Sequence, residues 1–280
     1  MRAAVLGSPI SHSLSPALHA AAYRALGLTW WRYEAIECDE AGLPSLLDRC
    51  GPDWAGLSLT MPLKRAVIPL LDRIEPLVTQ VSAANTVLLA AAQRIGYNTD
   101  VPGFVRALAG RGINEEAQPG PVLILGGGAT ARAALAALRD LGEHSVTVAV
   151  RNRDGAADLL AAAGRLGTAV TLLPLDAPSL PRARLLISTV PAGASELMAQ
   201  LFARLHPAPE VVFDVVYYPW PTPLAAAALA ARVPVLGGFE LLLHQAALQV
   251  ELMTGRTAPL TQMRRAGQAE LSKRAGPRTA

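Results

Sequence analysis

The sequence predicts an α/β protein with two domains, an N-terminal α/β domain and a Rossmann-type, doubly wound domain. Short apolar strands alternate with helical patterns along the chain, which favours largely parallel sheets covered by helices on both faces. A polar, turn-rich break, RGINEEAQPGP, lies at residues 111–121. Directly after it, a glycine-rich turn joins an apolar strand to a helix, as in doubly wound sheets. The 280 residues, 51% of them apolar, suffice for two cores of ordinary size.

In the N-terminal domain, residues 1–105, each element is marked by its hydrophobic period and its turn residues. The first strand ends at Gly7. In the helix that follows, Ser15 is placed to cap, Pro16 fits the first turn and Gly27 closes the far end. The next predictions, in chain order, are a strand in WWRYEAIEC, a helix in AGLPSLLDRC, a strand in WAGLSLTMP, a helix in KRAVIPLLDRI and a hairpin in ANTVLLAAAQRIGYNTD.

The second domain, residues 106–238, begins with a strand, a glycine turn and a helix in PVLILGGGATARAALAALRDLG. Further strands are predicted in SVTVAVRNR, ARLLISTVP and EVVFDVVYYP. A last helix, about residues 239–260, is apolar on one side, and we expect it to pack back on the first domain. The stretch 263–280 carries five Lys or Arg against one Glu, so residues 261–280 are predicted to form a flexible tail.

Composition argues against several classes of function. The net charge is only +3 and no basic residues interleave with aromatics, so we expect no nucleic-acid partner. Cys38 and Cys50 lack the paired spacing of a zinc site and the five histidines form no ligand signature, so we expect no metal. No apolar run approaches the roughly 20 residues that span a bilayer and no signal peptide is recognisable, which predicts a cytoplasmic protein without membrane contact. The oligomeric state stays open, with a homodimer as one candidate.

The turn after the break contains the pattern G-x-G-x-x-A, at Gly126, Gly128 and Ala131. Gly126 permits a tight turn, Gly128 lets the backbone approach a pyrophosphate, and Ala131 lets helix and strand pack closely. The N-terminus of the helix adds unpaired N–H groups and a partial positive charge for the phosphates. This context predicts a dinucleotide site, the alternative being a glycine-rich turn without a ligand.

The end of the second strand of this domain bears on the choice of dinucleotide. Arg151, Asn152 and Arg153 follow SVTVAV directly. Arginines at this point suit the 2′-phosphate of NADP, whereas an acid would hold the ribose hydroxyls of NAD. We therefore expect NADP(H) as the cofactor, the alternative being arginines that only solvate the end of a strand.

Polar residues at the turns of the first domain point to a second ligand. Ser13 and Ser15 stand at the start of a predicted helix, where two hydroxyls and helix N–H groups can seat a carboxylate; capping alone is the alternative. Lys64 follows TMPL and Asp100 follows GYNT, so a chain with sparse charge places a lone amine and a lone carboxylate at similar turns. On their own, these two positions are better explained as a surface helix start and a helix cap.

Seven segments, in the same order along the chain, resemble the shikimate dehydrogenase family and together span roughly residues 5–250. The resemblance implies NADPH-dependent, reversible reduction of 3-dehydroshikimate to shikimate. It also implies an N-terminal substrate domain and a Rossmann-type domain with a cleft between them. The segments are GSPISHSLSPALH, LTMPLK, AANT, GYNTDVPGF, LGGGATARA, DVVYYPWPTPL and GGFELLLHQA.

The same resemblance implies roles for individual positions. It implies that Lys64 and Asp100 are the catalytic pair and that Ser13 and Ser15 grip the substrate carboxylate. The further substrate contacts that it implies are Thr60, Asn85, Tyr217 and Gln245. It adds Gly238 to the cofactor contacts that the glycine turn and the second strand end predict, which are Gly126, Gly128, Ala129, Ala131, Arg151, Asn152 and Arg153.

A lysine and an aspartate suit this chemistry, because hydride transfer to a ketone builds negative charge on the ketone oxygen. A nearby ammonium stabilises that charge and donates the proton that must arrive with the hydride. We expect Lys64 to be the main acid and base, with Asp100 orienting it and the substrate hydroxyl. The reverse emphasis stays open because coupled groups titrate as a pair. Two alternatives to the function remain, a quinate/shikimate dehydrogenase that favours NAD and a non-catalytic paralogue that binds nucleotide.

Overall fold

The computed structural model describes residues 1–114, 119–177 and 179–275, without the side chains of Asp154 and Ser195. The chain divides into two compact units, Met1–Gly103 with Leu242–Ala280, and Phe104–Leu241. The sequence pattern put the corresponding breaks at 105/106 and 238/239. Part of the polar break, residues 115–118, lies outside the described residues. Each unit has its own sheet.

The first unit contains a mixed sheet flanked by short helices. Its strand order, β2-β1-β3-β5-β6-β4, combines parallel pairs of β1 with β2 and β3 and antiparallel pairs of β5 with β3 and β6. Every residue of β3 is buried, as expected of a central strand. The N-terminal elements are β1 (Arg2–Gly7), α1 (Ser15–Ala25), β2 (Arg32–Glu37), α2 (Leu43–Asp48), β3 (Trp54–Leu59), α3 (Leu63–Ala66), β4 (Arg73–Ile74), α4 (Pro76–Val81), β5 (Thr86–Ala90), β6 (Gln93–Tyr97) and α5 (Asp100–Ala109), whose last residues belong to the second unit.

The structure corrects two expectations for this segment and confirms a third. The helix predicted in KRAVIPLLDRI is α-helical for only one turn, as α3, and is followed by a short 3-10 helix at Ile68–Leu70, because Pro69 has no N–H to continue the α-helical hydrogen bonds. Ser15 does not cap α1 but is its first residue, and its N–H donates to the Ser13 Oγ at 3.2 Å. The predicted hairpin is confirmed, with Ala91 and Ala92 at φ of 50° and 58° between β5 and β6.

The second unit contains a parallel sheet with the strand order of a doubly wound dinucleotide fold. The order is β12-β11-β10-β7-β8-β9, every neighbouring pair is parallel, and the order reverses between β7 and β10. The sequence did not predict β9 or β12, which are partly exposed and lie at the two edges of the sheet. The elements are β7 (Val122–Leu125), α6 (Ala129–Asp140), β8 (Ser145–Val150), α7 (Ala157–Leu166), β9 (Ala169–Pro174), β10 (Leu185–Ser188), α8 (Ser195–Phe202), β11 (Val211–Asp214), α9 (Pro223–Ala230) and β12 (Val235–Gly237).

The C-terminal segment forms α10 (Gly238–Thr254) and α11 (Leu260–Arg274), and most of it belongs to the first unit. Met253 of α10 packs there with Ala3 and Ala55. The prediction of a flexible tail over 261–280 is wrong as far as Arg274, and residues 276–280 lie outside the described residues. α11 packs along α1 and buries Met263 and Gly267, which are four residues apart and share one face. The prediction of a tail was based on the number of basic residues and did not take this spacing into account.

Across the described parts of the chain, no helix is both long enough and apolar enough to cross a membrane. The same residues contain no group of three or more His, Cys, Asp or Glu placed to hold a metal ion.

Candidate active site

Several segments that carry predicted site residues meet at one edge of the first sheet. β1 and β3 run in parallel and end together there, with Leu6 opposite Leu59. The antiparallel strand β5 begins at this edge, where the Leu59 N–H donates to the Asn85 carbonyl at 2.7 Å. β6 returns to the same edge, with Tyr97 opposite Thr86. The residues carried by the loops at this edge and by the helices that follow them are Ser13, Ser15, Thr60, Lys64, Asn85 and Asp100.

Lys64 and Asp100 form an ion pair at this edge. The Lys64 Nζ donates to the Asp100 Oδ2 at 2.7 Å, and the two side chains are 16% and 8% exposed. The Asn98 Oδ1 accepts the N–H groups of Asp100 and Val101, so the start of α5 is capped and the backbone of Asp100 is fixed. The first turn of a helix also favours a negative charge, which suits the Asp100 carboxylate. The amine and the carboxylate are therefore brought together, as the sequence predicted.

Asn85 holds the other oxygen of Asp100. The Thr99 N–H donates to the Asn85 Oδ1 at 2.8 Å, and because an N–H only donates, this contact fixes the orientation of the amide. The Asn85 Nδ2 then donates to the Asp100 Oδ1 at 2.8 Å and lies 3.4 Å from the Gln245 Oε1. The Gln245 Nε2 donates to the Leu242 carbonyl within α10. Four predicted site residues, Lys64, Asp100, Asn85 and Gln245, are thus joined by direct contacts.

A series of buried, hydrogen-bonded side chains supports Asn85, and the sequence did not predict it. The Gln249 Nε2 donates to the Asn85 carbonyl at 3.2 Å and to the Thr86 Oγ1 at 2.9 Å. The Gln249 Oε1 accepts the Ser58 hydroxyl at 2.8 Å, and the Ser58 Oγ accepts the Tyr33 hydroxyl at 2.7 Å. Gln249 lies one helical turn after Gln245, and this i,i+4 spacing was the available signal.

The loop after β1 brings the two serines to the same edge, where Thr60 directly follows β3. Ser15 is buried at the start of α1, and Ser13 is half-buried. Gly7 ends β1 where a side chain would overlap the Thr60 methyl group, so only glycine permits this approach of β1 to the residue after β3. The Thr60 N–H in turn donates to the Leu6 carbonyl at 2.9 Å.

His19 lies behind Ser15 as a buried, neutral ring. Its Nδ1 is 2.9 Å from the Ser15 carbonyl and therefore carries the proton, and the ring stacks on Tyr33 with centroids 3.8 Å apart. Its buried Nε2 has no hydrogen-bond partner among the described residues, so a second proton there would be unsatisfied. Burial lowers the pKa of His19 to about 4, against a partial rise from the Ser15 carbonyl. His19 therefore has a packing role within α1, the helix that begins at Ser15.

Replacing His19 with phenylalanine is expected to flatten the acid side of the stability profile. The folded pKa lies below the ordinary value of 6.5, so the folded state loses stability as the pH falls from 6.5 through about 4. Between pH 7 and pH 5 this costs the wild type about 2 kcal/mol, which the variant does not lose. Urea unfolding of both proteins at the two pH values measures the difference. An equal loss in both proteins would show that His19 does not titrate in this way.

The second unit places the predicted glycine turn between β7 and α6. Gly126 has a φ of +104°, and a side chain there would meet the Thr189 hydroxyl. A side chain at Gly128 would meet nothing within 4 Å, so the space in front of the turn is open. No side chain in the described part of the chain caps α6, which leaves the N–H groups around Ala129 for an anionic ligand. Ala131 is fully buried, as close packing of helix and strand requires. These features fit a pyrophosphate.

The remaining predicted cofactor residues follow the carboxyl ends of two strands of this sheet, β8 and β12. Arg151, Asn152 and Arg153 follow β8 directly and are exposed, where a phosphate can reach them. Gly238 begins α10. A side chain there would overlap the Val215 carbonyl, so only glycine permits the backbone to lie this close to Val215.

Tyr217 also belongs to the second unit and lies in the loop after β11. Asp214 organises this loop. Its Oδ1 accepts the Val216 N–H at 3.2 Å and its Oδ2 accepts the Thr222 hydroxyl at 2.6 Å. Burial raises the pKa of Asp214, while these two hydrogen bonds partly oppose the rise. Tyr217 is therefore carried by an anchored loop.

Comparison with known proteins identifies the family. The model of the shikimate dehydrogenase substrate binding domain matches residues 5–87, and that of the shikimate 5′-dehydrogenase C-terminal domain matches residues 238–266. A relative from Thermus thermophilus, named shikimate dehydrogenase (NADP(+)), is 38% identical over 256 residues, which cover 91% of this chain and 93% of the relative.

Solved structures extend the match to the whole fold. The crystal structure of Mycobacterium tuberculosis shikimate dehydrogenase matches with a TM-score of 0.83 at 42% identity, covering 96% of this chain and 99% of that chain. The shikimate 5-dehydrogenase of Thermus thermophilus in complex with NADP(H) and shikimate matches with a TM-score of 0.80 at 35% identity, covering 96% and 99%. The two-domain α/β fold and the resemblance are both confirmed, and the chain belongs to the shikimate dehydrogenase family.

Proposed function

We propose that this chain catalyses the NADP(H)-dependent, reversible reduction of 3-dehydroshikimate to shikimate. The observation that carries the proposal is the Lys64–Asp100 ion pair, held at the edge of the first sheet by Asn85. A surface ion pair would need no such support, because exposed pairs contribute little to stability. A mostly buried pair, with its second carboxylate oxygen also occupied, is instead a fixed acid–base unit.

The ion pair performs the proton half of the reaction. When bound, NADPH would supply the hydride that the carbonyl carbon receives. Lys64 donates a proton to the carbonyl oxygen as negative charge builds there, and the oxygen becomes the new hydroxyl. Asp100 keeps the amine in place and accepts a hydrogen bond from the substrate hydroxyl. In the oxidative direction the pair takes the proton back. Because Lys64 is 16% exposed, solvent can then restore the protonation state.

The surrounding residues orient the ring. Ser13 and Ser15, beside the N-terminus of α1, seat the carboxylate. Asn85 and Gln245 hydrogen-bond the ring hydroxyls, with Thr60 as a further contact. In the second unit, the turn around Gly128 holds the pyrophosphate and Gly238 serves the nicotinamide end, while Tyr217 is a further substrate contact. The residue roles and the division into a substrate domain and an NADP-binding domain are part of the proposal.

Initial rates with four substrate–cofactor pairs test the proposal against its alternatives. Shikimate and quinate are each combined with NADP⁺ and NAD⁺, and nicotinamide absorbance is followed in both directions. We expect shikimate with NADP⁺ to give the highest kcat/KM. A preference for quinate with NAD⁺ would favour the second enzymatic assignment. Thermal stabilisation by NADPH without any turnover would identify a non-catalytic binding protein.

Replacing both Arg151 and Arg153 with alanine is expected to raise the KM for NADPH roughly 10- to 100-fold. Hydrogen bonds to charged groups contribute about 1.5–3 kcal/mol, and the variant loses those to the 2′-phosphate. The KM for NADH, which lacks this phosphate, should stay the same. Arg204, an exposed arginine that follows α8, is the control when replaced with alanine. Equal rises for NADPH and NADH would contradict a role for the two arginines in phosphate recognition.

The expectations of a cytoplasmic location and of a homodimer belong to the same proposal. Sedimentation equilibrium and fractionation of the native host measure them. If the protein is a monomer over the physiological concentration range, the homodimer is ruled out and the catalytic assignment is unaffected.

A further inference from the structure

We infer that Arg274, near the end of α11, is a positioning residue for the carboxylate seat, the pair Ser13 and Ser15 that is proposed to bind the substrate carboxylate. The C-terminal helix thereby contributes to substrate affinity. The inference rests on the proposed function of Ser13 and Ser15. Arg274 does not need to touch the substrate. It acts by holding the backbone of the loop that presents the first serine.

Arg274 grips two successive carbonyl groups of this loop. Its Nη1 donates to the His12 carbonyl at 2.7 Å and its Nη2 donates to the Ser13 carbonyl at 3.3 Å. The planar fork of a guanidinium suits such a double contact, which a lysine makes less well. The Arg274 side chain is only 19% exposed, and the Glu270 Oε1 accepts from its Nε at 3.3 Å. The guanidinium is thus oriented by its own helix before it meets the loop.

The serine loop, residues 8–14, is held from both ends. At its start, the Glu37 Oε1 accepts the Ser8 hydroxyl at 2.6 Å and the Oε2 accepts the Ile10 N–H at 3.0 Å. At its end, Arg274 holds residues 12 and 13. Residues 8–14 form no helix or strand, so these side-chain contacts replace the hydrogen bonds that a regular element would supply. Loss of the Arg274 contacts frees the end that carries Ser13.

The antiparallel packing of α11 on α1 explains why Arg274 reaches this place. Arg256, ahead of α11, donates to the Leu26 carbonyl at the C-terminal end of α1, at 2.9 Å. Arg274, at the other end of α11, reaches the residues before the N-terminus of α1. The two arginines therefore anchor opposite ends of the same helix, and only one of them contacts the serine loop. Arg256 is a matched control for helix docking.

Steady-state kinetics of Arg274→Ala, Arg274→Lys and Arg256→Ala test the inference. We expect Arg274→Ala to raise the KM for shikimate roughly 10-fold or more, as for loss of charged hydrogen bonds. The kcat and the KM for NADP⁺ should change by less than about twofold, because the Lys64–Asp100 pair and the second unit are untouched. Arg274→Lys should recover part of the affinity. Arg256→Ala should lower the Tm without raising the KM, and Lys273→Ala, at a side chain that is 77% exposed, should change neither.

The methyl ester of shikimate separates a carboxylate effect from a general one. Because the ester lacks the charge that the serines seat, the ratio of the KM values of variant and wild type should fall to about one. If Arg274→Ala raised the ratio equally for acid and ester, or lowered the Tm with an unchanged KM for shikimate, the inference would be overturned.

Amide hydrogen exchange of the unliganded protein tests the same contact without substrate. Arg274→Ala should speed the exchange of residues 12–15, and Arg256→Ala should not. Unchanged exchange in both variants would overturn the inference. An inactive wild type would instead overturn the proposed function, while the exchange result still decides whether Arg274 holds the loop.

Discussion

Replacing Lys64 with alanine is expected to lower kcat for shikimate oxidation roughly 10²- to 10⁴-fold, the usual contribution of a general acid or base. The variant removes the only ammonium that the described contacts place against Asp100, at 2.7 Å. Without it, the developing charge on the substrate oxygen has neither a proton donor nor a counter-charge. The KM values should change little, because the carboxylate seat and the cofactor turn are intact. Stopped-flow measurement of a single turnover isolates the chemical step.

The neighbouring residue supplies the control for this prediction. Arg65 follows Lys64 in α3, is exposed, and carries the same charge. Arg65→Ala should retain kcat within about twofold, as expected of a surface substitution. If Lys64→Ala also retained kcat, the proton would have to come from another group, and the acid–base role of Lys64 would be wrong.

The pairing of Lys64 with Asp100 was predicted through the family resemblance, because their local sequence alone favours a surface helix start and a helix cap. Lys64 lies just after Pro62, at the turn that follows a fully buried strand. Asp100 opens a helix whose cap, Asn98, is two residues away in sequence. The glycine turn, by contrast, was predictable from local sequence, since Gly126 and Gly128 act within one strand–turn–helix unit. A feature of this kind depends only on residues that lie close together in the sequence.

The support around the pair was not predictable in this way, because its contacts join residues that are distant in sequence. Gln249 bonds the Asn85 carbonyl across 164 positions and Ser58 across 191. The i,i+4 spacing of Gln249 after Gln245 places it on the same helix face, but it does not identify the distant partners. The same holds for α11, whose Arg274 contacts a loop 261 and 262 positions away. A basic composition suggested a tail, whereas packing against α1 decides the structure.

Replacing Asp100 with asparagine is expected to lower kcat within the same range as Lys64→Ala, with little change in volume. The two oxygens of Asp100 accept from two donors, the Lys64 ammonium and the Asn85 amide. Asparagine keeps only one acceptor atom and turns the other into a donor. Whichever way its amide is oriented, one of the two donors then faces a donor. Lys64 loses its fixed position directly, or Asn85 is displaced and the site loosens around it.

Asp48→Asn is the matched control, because it removes a carboxylate from an ion pair of the same length in a different environment. Asp48 lies 2.7 Å from Arg94, but its side chain is 71% exposed. Water replaces the lost contact there, so kcat and Tm should stay close to the wild-type values. Thermal unfolding of Asp100→Asn distinguishes a folded, slow enzyme from an unfolded one. A folded variant with wild-type kcat would mean that the buried carboxylate neither orients Lys64 nor takes part in the proton transfer, and the pair would then be structural.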